Sequence, residues 1–439
     1  MARNNKLLII IIAVFSLIIC LLELSKGYTF EWDQADDAAK VFSIIQLQKP
    51  LLIGPRVAND NGFFIGPYHY YFLLPFYLLT RGDPLAGVYA LLFVNVLTPI
   101  IYFLLAKKIF NQKIALLSAL ILPLCLGKIC WNIMYAPLIS ITAFYICYQA
   151  INKRFSFPLA MLFAAFVANV HLVPASLTPI IILSFLLAKN KPKTKEIILG
   201  LLLFCLPFLP LIIFDLRHNF LNLNKLLQML FGHSDQNTLT YGYIWLRSFW
   251  RSLNIIGLFP VLLERLFFLL ILIIFPFFIT GRKNKILVIV WLLLPLAALS
   301  QYKGTVSEYY YGMLTSLLPL FLAYLVFKSK RPILFIVPLV FLILFSILKI
   351  SQLPRSLITL NDKKAVVDYL VNQKKDQPFN LSYETGLGFD FGFDYLFNYR
   401  GNPPKNVDNA HLYTLFLNSH YPPQSNIVFQ KSIYLLVRR

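Results

Sequence analysis

Long apolar runs, divided by short loops that carry Lys and Arg, recur through residues 1–350. A run of about 18 or more apolar residues is long enough to cross the roughly 30 Å hydrocarbon core of a bilayer as a helix. This pattern excludes an ordinary soluble fold. Composition agrees, with 58% hydrophobic and 13% charged residues, against about 25% charged in a soluble domain. The runs predict about eleven spans, near 6–24, 85–106, 113–127, 133–151, 155–170, 172–188, 196–214, 262–280, 285–300, 311–327 and 332–350. The first run follows Arg3 and Lys6. It is long for the core of a signal peptide and lacks a small-residue cleavage site, so it reads as a retained helix.

Net charge is +21, but the positive residues lie between apolar runs and do not form one basic face. They therefore speak for orientation, not nucleic acid. The clusters are Lys107/Lys108/Lys113, Lys153/Arg154, Lys189 to Lys195, Arg282/Lys283/Lys285 and Lys328/Lys330/Arg331. With the N-terminus in the cytoplasm, that set of spans puts every cluster on the cytoplasmic side, as the positive-inside rule requires. The chain is then a multi-pass protein of the inner or plasma membrane. Residues 25–84 and 215–261 form two large external loops, and residues 351–439 a small extracytoplasmic domain.

The segment 67–80, PYHYYFLLPFYLLT, is too short to span and would invert every later loop if it did. Its tyrosines and Pro75 suit an interfacial helix. In the tail, Asn361–Lys375 has helical apolar spacing, and Phe379–Tyr383 and Ile427–Val437 are strand-like, which predicts an α/β unit. The five cysteines, Cys20, Cys125, Cys130, Cys147 and Cys205, lie in or beside apolar runs and form no CxxC pair or disulfide framework. No fixed-period repeat supports an inverted-repeat transporter.

Chemistry-bearing residues cluster on the external side. Glu31, Asp33, Asp36 and Asp37 follow the first span, and Asp33 reads as the N-cap of a helix. Helical spacing puts Asp33, Asp36 and Asp37 on one side of its first turn. Two readings stay open. Acids in a first turn complement the helix dipole, or one carboxylate faces a cavity as general base or metal ligand. Asp215, Arg217 and His218 end the seventh span, where two cations suit a phosphate, an internal ion pair or a headgroup anchor. Trp131, Asn132, His171, Lys303 and the aromatics around Tyr70 either line the same cavity or anchor helices at the interface.

The order DQADDA at 33–38, FIGPYHYYFLLP at 64–75, WN at 131–132, HLVP at 171–174 and FDLRHNF at 214–220 resembles the GT-C class of polytopic glycosyltransferases. The likeness is to glycosyltransferase family 39, the dolichyl-phosphate-mannose–protein mannosyltransferases, and to its aminoarabinose transferase relatives. The resemblance implies an all-α membrane fold with a small external α/β domain. It also implies a polyprenyl-phosphate-sugar donor, a glycan, lipid or protein hydroxyl acceptor, and Asp33 as general base, with Asp37 matching a second acid. Arg217, His218 and Lys303 would hold the phosphate, and Tyr70, Trp131, Asn132 and His171 would shape the sugar pocket. Gln34 and Asp36 depart from the family pattern, where Glu and Arg are common. No cofactor is certain. A divalent cation on Asp33, Asp36 and Asp37 stays open. The rival readings are an O-antigen ligase or polymerase, and a non-enzymatic flippase or exporter of lipid-linked glycans.

Overall fold

The computed structural model describes residues 2–57, 62–127, 129–231, 273–300, 312–352, 358–374, 377–386, 388–405, 407–408, 410–417 and 426–438. The first span is α1 (Ala2–Leu24). The segment after it folds into α2 (Trp32–Leu47) and α3 (Tyr68–Leu79). The bundle continues with α4 (Leu85–Ile109), α5 (Gln112–Ile121), α6 (Ala136–Asn152), α7 (Phe157–Val170), the one-turn α8 (Leu172–Ala175) and α9 (Leu177–Leu187). Then come α10 (Thr194–Cys205), α11 (Leu209–Arg217), α12 (Leu221–Phe231), α13 (Arg282–Ser300), α14 (Gly312–Thr315), α15 (Leu318–Lys328) and α16 (Ile333–Gln352).

Among the described residues, four helical stretches are long and apolar enough to cross a membrane: Asn5–Leu24, Leu85–Ile109, Asn132–Asn152 and Thr194–Arg217. The expected spans at 113–127, 155–170, 172–188 and 311–327 are helices, but shorter ones. Those at 285–300 and 332–350 fall on α13 and α16. The span expected at 262–280 lies outside the described residues up to 272. Helix α3 has 12 residues, about 18 Å of rise, too little to span. It packs between α2 and α4 and buries His69, Tyr70, Leu73 and Tyr77.

Among the described residues, two large apolar cores result. One fills the bundle, where Trp291, Phe275 and Phe321 are fully enclosed. The other joins α2, α3 and the start of α4 to the C-terminal unit. That unit holds α17 (Leu360–Lys374), α18 (Phe393–Tyr399) and a four-stranded sheet of order β1-β2-β4-β3. The strands are β1 (Phe379–Glu384), β2 (His411–Leu417), β3 (Ile427–Lys431) and β4 (Tyr434–Arg438). β1 and β2 run parallel with α18 in the crossover between them, and β4 pairs antiparallel with both β2 and β3. The strand-like run Ile427–Val437 is therefore not one strand. It folds back at Ser432, whose φ of 53° is left-handed, and makes the β3–β4 hairpin.

The C-terminal unit sits directly on the segment that follows α1. Thr29 and Thr359 form an isolated antiparallel bridge, Phe30 N–H donates to the Ile358 carbonyl, and Leu360 N–H donates to the Tyr28 carbonyl. The fully buried Lys363 donates from Nζ to the Phe30 carbonyl at 2.9 Å and the Phe391 carbonyl at 2.6 Å. Lys364 pairs with Asp83 at 2.6 Å. The Phe30 ring fills the space that a side chain at Gly392 would need, and Gly392 has a φ of 85°, a region open to glycine without penalty.

Candidate functional site

The acidic helix α2 starts two residues earlier than its sequence suggests. Glu31 is the N-cap, and Asp33 falls in the first turn, where a carboxylate complements the helix dipole. Gln34 fixes this start. Its Oε1 accepts from the Glu31 N–H at 3.1 Å, and its Nε2 donates to the Cys130 carbonyl at 3.2 Å. The second bond demands an N–H donor, so a Glu here would set a carboxylate against a carbonyl. That is a physical reason for the amide at this position.

The three aspartates do not share one face. Asp37 turns inward and is buried, while Asp33 and Asp36 stay exposed. Asp37 Oδ2 lies 2.9 Å from His69 Nε2, and His69 Nδ1 lies 2.9 Å from the Tyr135 hydroxyl. With Asp37 ionised, Nε2–H donates to the carboxylate, and Nδ1 accepts from the Tyr135 O–H. The chain Asp37–His69–Tyr135 thus links α2, α3 and the 3-10 turn Asn132–Tyr135 that leads into α6.

Asp36 is half-exposed and takes a hydrogen bond from Tyr70, which is itself buried beneath it. Lys40 stands one turn away at 4.0 Å. Burial raises the Asp36 carboxyl above its ordinary range, while Lys40 and Arg56 pull it back. Asp33 is exposed to solvent, yet protein crowds it on most sides. Desolvation first, and then the charges of Asp37 and Asp36, push its carboxyl up to about 6, with His69 acting the other way. Among the described residues, no group of three His, Cys, Asp or Glu side chains converges as a metal site would need. Asp37 is turned to His69, and Asp36 to Tyr70 and Lys40.

Two residues that sequence reasoning passed over belong to this region. His69 stands inside the FIGPYHYYFLLP segment, but its partner Asp37 lies 32 residues away. Arg56 faces Phe64 in an isolated antiparallel bridge held by the Val57 N–H to Phe63 carbonyl and Ile65 N–H to Pro55 carbonyl bonds, lays its guanidinium over the Phe64 ring at 4.7 Å, and interacts electrostatically with Asp36.

The remaining expected residues are spread along the same end. Asp215 is buried and caps α12, accepting from Asn222 N–H at 2.7 Å and from Leu223 N–H. Asn222 in turn holds Phe64, accepting from its N–H at 2.5 Å and donating to its carbonyl at 3.1 Å. Arg217 and His218, at the end of α11, are exposed, and His218 stacks on Phe214 at 4.1 Å. Through Asp215, Asn222 and Phe64 they are tied to the strip that carries Arg56. Asn132 donates to the Val170 carbonyl at 3.2 Å, beside His171. Burial lowers His171 to about 4, so the imidazole is neutral near pH 7. Its Nδ1 accepts from Val173 N–H, which leaves the ring proton on Nε2. Trp131 is half-buried and precedes the 3-10 turn. Lys303 lies outside the described residues.

No family model matches the chain, and no curated protein matches it in sequence. Among solved structures, it superposes on ArnT from Cupriavidus metallidurans bound to undecaprenyl phosphate with a TM-score of 0.66, at 9% identity, over 98% of this chain and 97% of that one. The same protein in the apo state gives 0.53 at 11% identity, over 100% and 98%. The Archaeoglobus fulgidus oligosaccharyltransferase, in complex with Zn and sulfate, gives 0.52 at 10% identity, over 92% and 68%. At such identities the likeness establishes a shared fold.

Proposed function

We propose that this chain, which has the GT-C glycosyltransferase fold, moves a sugar from a polyprenyl-phosphate-linked donor to a hydroxyl acceptor on the extracytoplasmic side of the membrane. The arrangement that carries this reading is Asp33, a solvent-exposed carboxylate beside the buried Asp37–His69–Tyr135 chain, with its carboxyl pushed up to about 6 by burial and by Asp37 and Asp36. A general base works best when its pKa lies close to the working pH. Asp33 takes the proton of the acceptor hydroxyl as that oxygen attacks the anomeric carbon. The bond from that carbon to the phosphate oxygen breaks, and the phosphate leaves with the electron pair. Cations must stabilise that leaving group. Arg56, coupled to Asp36, and Arg217, tied to the same strip through Asp215 and Asn222, supply them. Asp37 is the positioning acid, holding His69 and through it Tyr135, while Asn132 and His171 border the sugar.

Two further observations support this reading. One solved structure of the same fold, ArnT from Cupriavidus metallidurans, holds undecaprenyl phosphate. The Lys/Arg clusters lie at the far end of the helices from Asp33: α4 starts beside α2 and α3 and ends in Lys107 and Lys108. This is the distribution expected if Asp33 faces away from the cytoplasm.

The test is transfer of radiolabelled sugar by the purified chain, from a panel of polyprenyl-phosphate sugars and, separately, from nucleotide sugars. Transfer from a polyprenyl-phosphate donor is the expected result. Transfer from nucleotide sugars alone would overturn the proposal.

A further inference from the structure

A cavity of about 380 Å³ opens at the end of the bundle opposite Asp33. Helix α4, with 25 residues, puts about 37 Å between the two ends. The cavity forms where α4 ends, α5 and α13 begin, and α15 ends.

Its donors are the ammonium of Lys328, the amide of Asn111 and the hydroxyls of Tyr148 and Thr280. Asn111 Oδ1 accepts from the Ile114 N–H at 2.9 Å, which leaves its amide hydrogens for another acceptor. Asn284 is fixed as wall, accepting from Asn152 at 2.8 Å and donating to the Thr280 carbonyl. Among the described residues, no Asp or Glu lines the cavity, and none forms an ion pair with Lys328.

The surrounding field has the same sign. Helices α5 and α13 turn their positive ends toward this region, α4 ends in Lys107 and Lys108, and α13 starts with Arg282 and Lys283. A site with several donors, a cation and no acid selects an anion, and phosphate fits donors converging from several helices. Apolar side chains close in sequence to the lining residues Thr280 and Lys328 are exposed, namely Phe277, Phe327, Ile333 and Leu334. A soluble phosphate has no use for that surface, whereas acyl chains do.

We propose that this cavity binds the phosphate of an anionic phospholipid headgroup, with Lys328 as its charge partner and the acyl chains lying along the exposed face beside it. Basic pockets between membrane helices are suited to such headgroups. The inference is independent of the reaction proposed for the opposite end.

The test uses the full chain in detergent, with bound lipid read by native mass spectrometry. Phosphatidylglycerol, phosphatidylcholine and inorganic phosphate are titrated separately and in competition. The expected result is retention of phosphatidylglycerol against excess phosphatidylcholine and phosphate. The exposed substitution Lys328→Gln should weaken it about tenfold or more. Lys330→Gln, which changes a neighbouring cation outside the cavity lining, should leave it within about twofold. Equal binding by wild type and Lys328→Gln would overturn the site. Displacement by millimolar inorganic phosphate would overturn the lipid assignment.

Discussion

Helix-forming stretch Thr194–Arg217 leaves its leucines bare, with only 11% of its apolar window buried, whereas α2 buries a carboxylate and an amide within its first two turns. The bundle answers to lipid on its outside and to aromatic packing within, as where Phe144 meets Trp291 edge-on at 5.4 Å. The acidic end is held differently. Asp37–His69–Tyr135, Gln34–Cys130, Asp215–Asn222–Phe64 and Lys363–Phe30 are polar ties across segments far apart in sequence. Apolar packing is tolerant of slippage, while hydrogen bonds specify one geometry. The end that holds Asp33 in place is therefore the end where the polar ties are.

The contrast predicts a graded set of responses. The largest loss of stability should come from His69→Ala, which leaves buried Asp37 without its donor. The expected cost is about 3–5 kcal/mol, read by chemical unfolding in mixed micelles. A cost below about 1 kcal/mol would mean that water replaces the imidazole, and that the acidic end is looser than described. Lys363→Met comes next, at about 2–4 kcal/mol, because two buried carbonyls lose their donor. The effect should show as faster hydrogen exchange at Leu360, whose N–H bonds Tyr28, while exchange in α6 stays unchanged. Equal acceleration in both would erase the distinction between the regions. Gln34→Glu should cost about 1–3 kcal/mol, by opposing a carboxylate to the Cys130 carbonyl. On the lipid-facing side, Leu202→Ala should stay within about 0.5 kcal/mol in bicelles, since lipid already covers that side chain in the folded state.

Much of the bundle was legible in the sequence because hydropathy is a local property. The positions of the apolar runs mark most helices, although several of these helices are shorter than a full crossing. Helix α17, expected at Asn361–Lys375 and found at Leu360–Lys374, follows from local periodicity as well. The acid cluster was visible, but the choice among its members was not. Asp37 faces inward because a histidine on α3 waits there, and no spacing rule reaches across the intervening loop. The N-cap moved from Asp33 to Glu31 because Gln34 closes on the Glu31 N–H, a contact of side chain with backbone. Arg56 looks like an ordinary loop cation until the strip through Phe64 brings it toward Asp36. The β3–β4 hairpin was concealed because its turn uses Ser432 in a left-handed conformation, without the glycine that usually signals one.

Asp33 also makes a prediction with a fixed sign. Its folded-state pKa, about 6, lies above the ordinary carboxylate value, so the folded chain binds more protons than the unfolded chain between those two values. Ionised Asp33 therefore destabilises the fold, and stability contributed at this site falls as pH rises toward 6. Asp33→Asn should be at least as stable as wild type at pH 7. The most direct measurement is the rate of sugar transfer against pH for wild type and Asp33→Asn at matched protein levels. The account predicts a wild-type rate that falls on the acid side through about pH 6, and a variant that is folded but slower by about 10²–10⁴-fold. A folded Asp33→Asn protein that transfers sugar at the wild-type rate would contradict it.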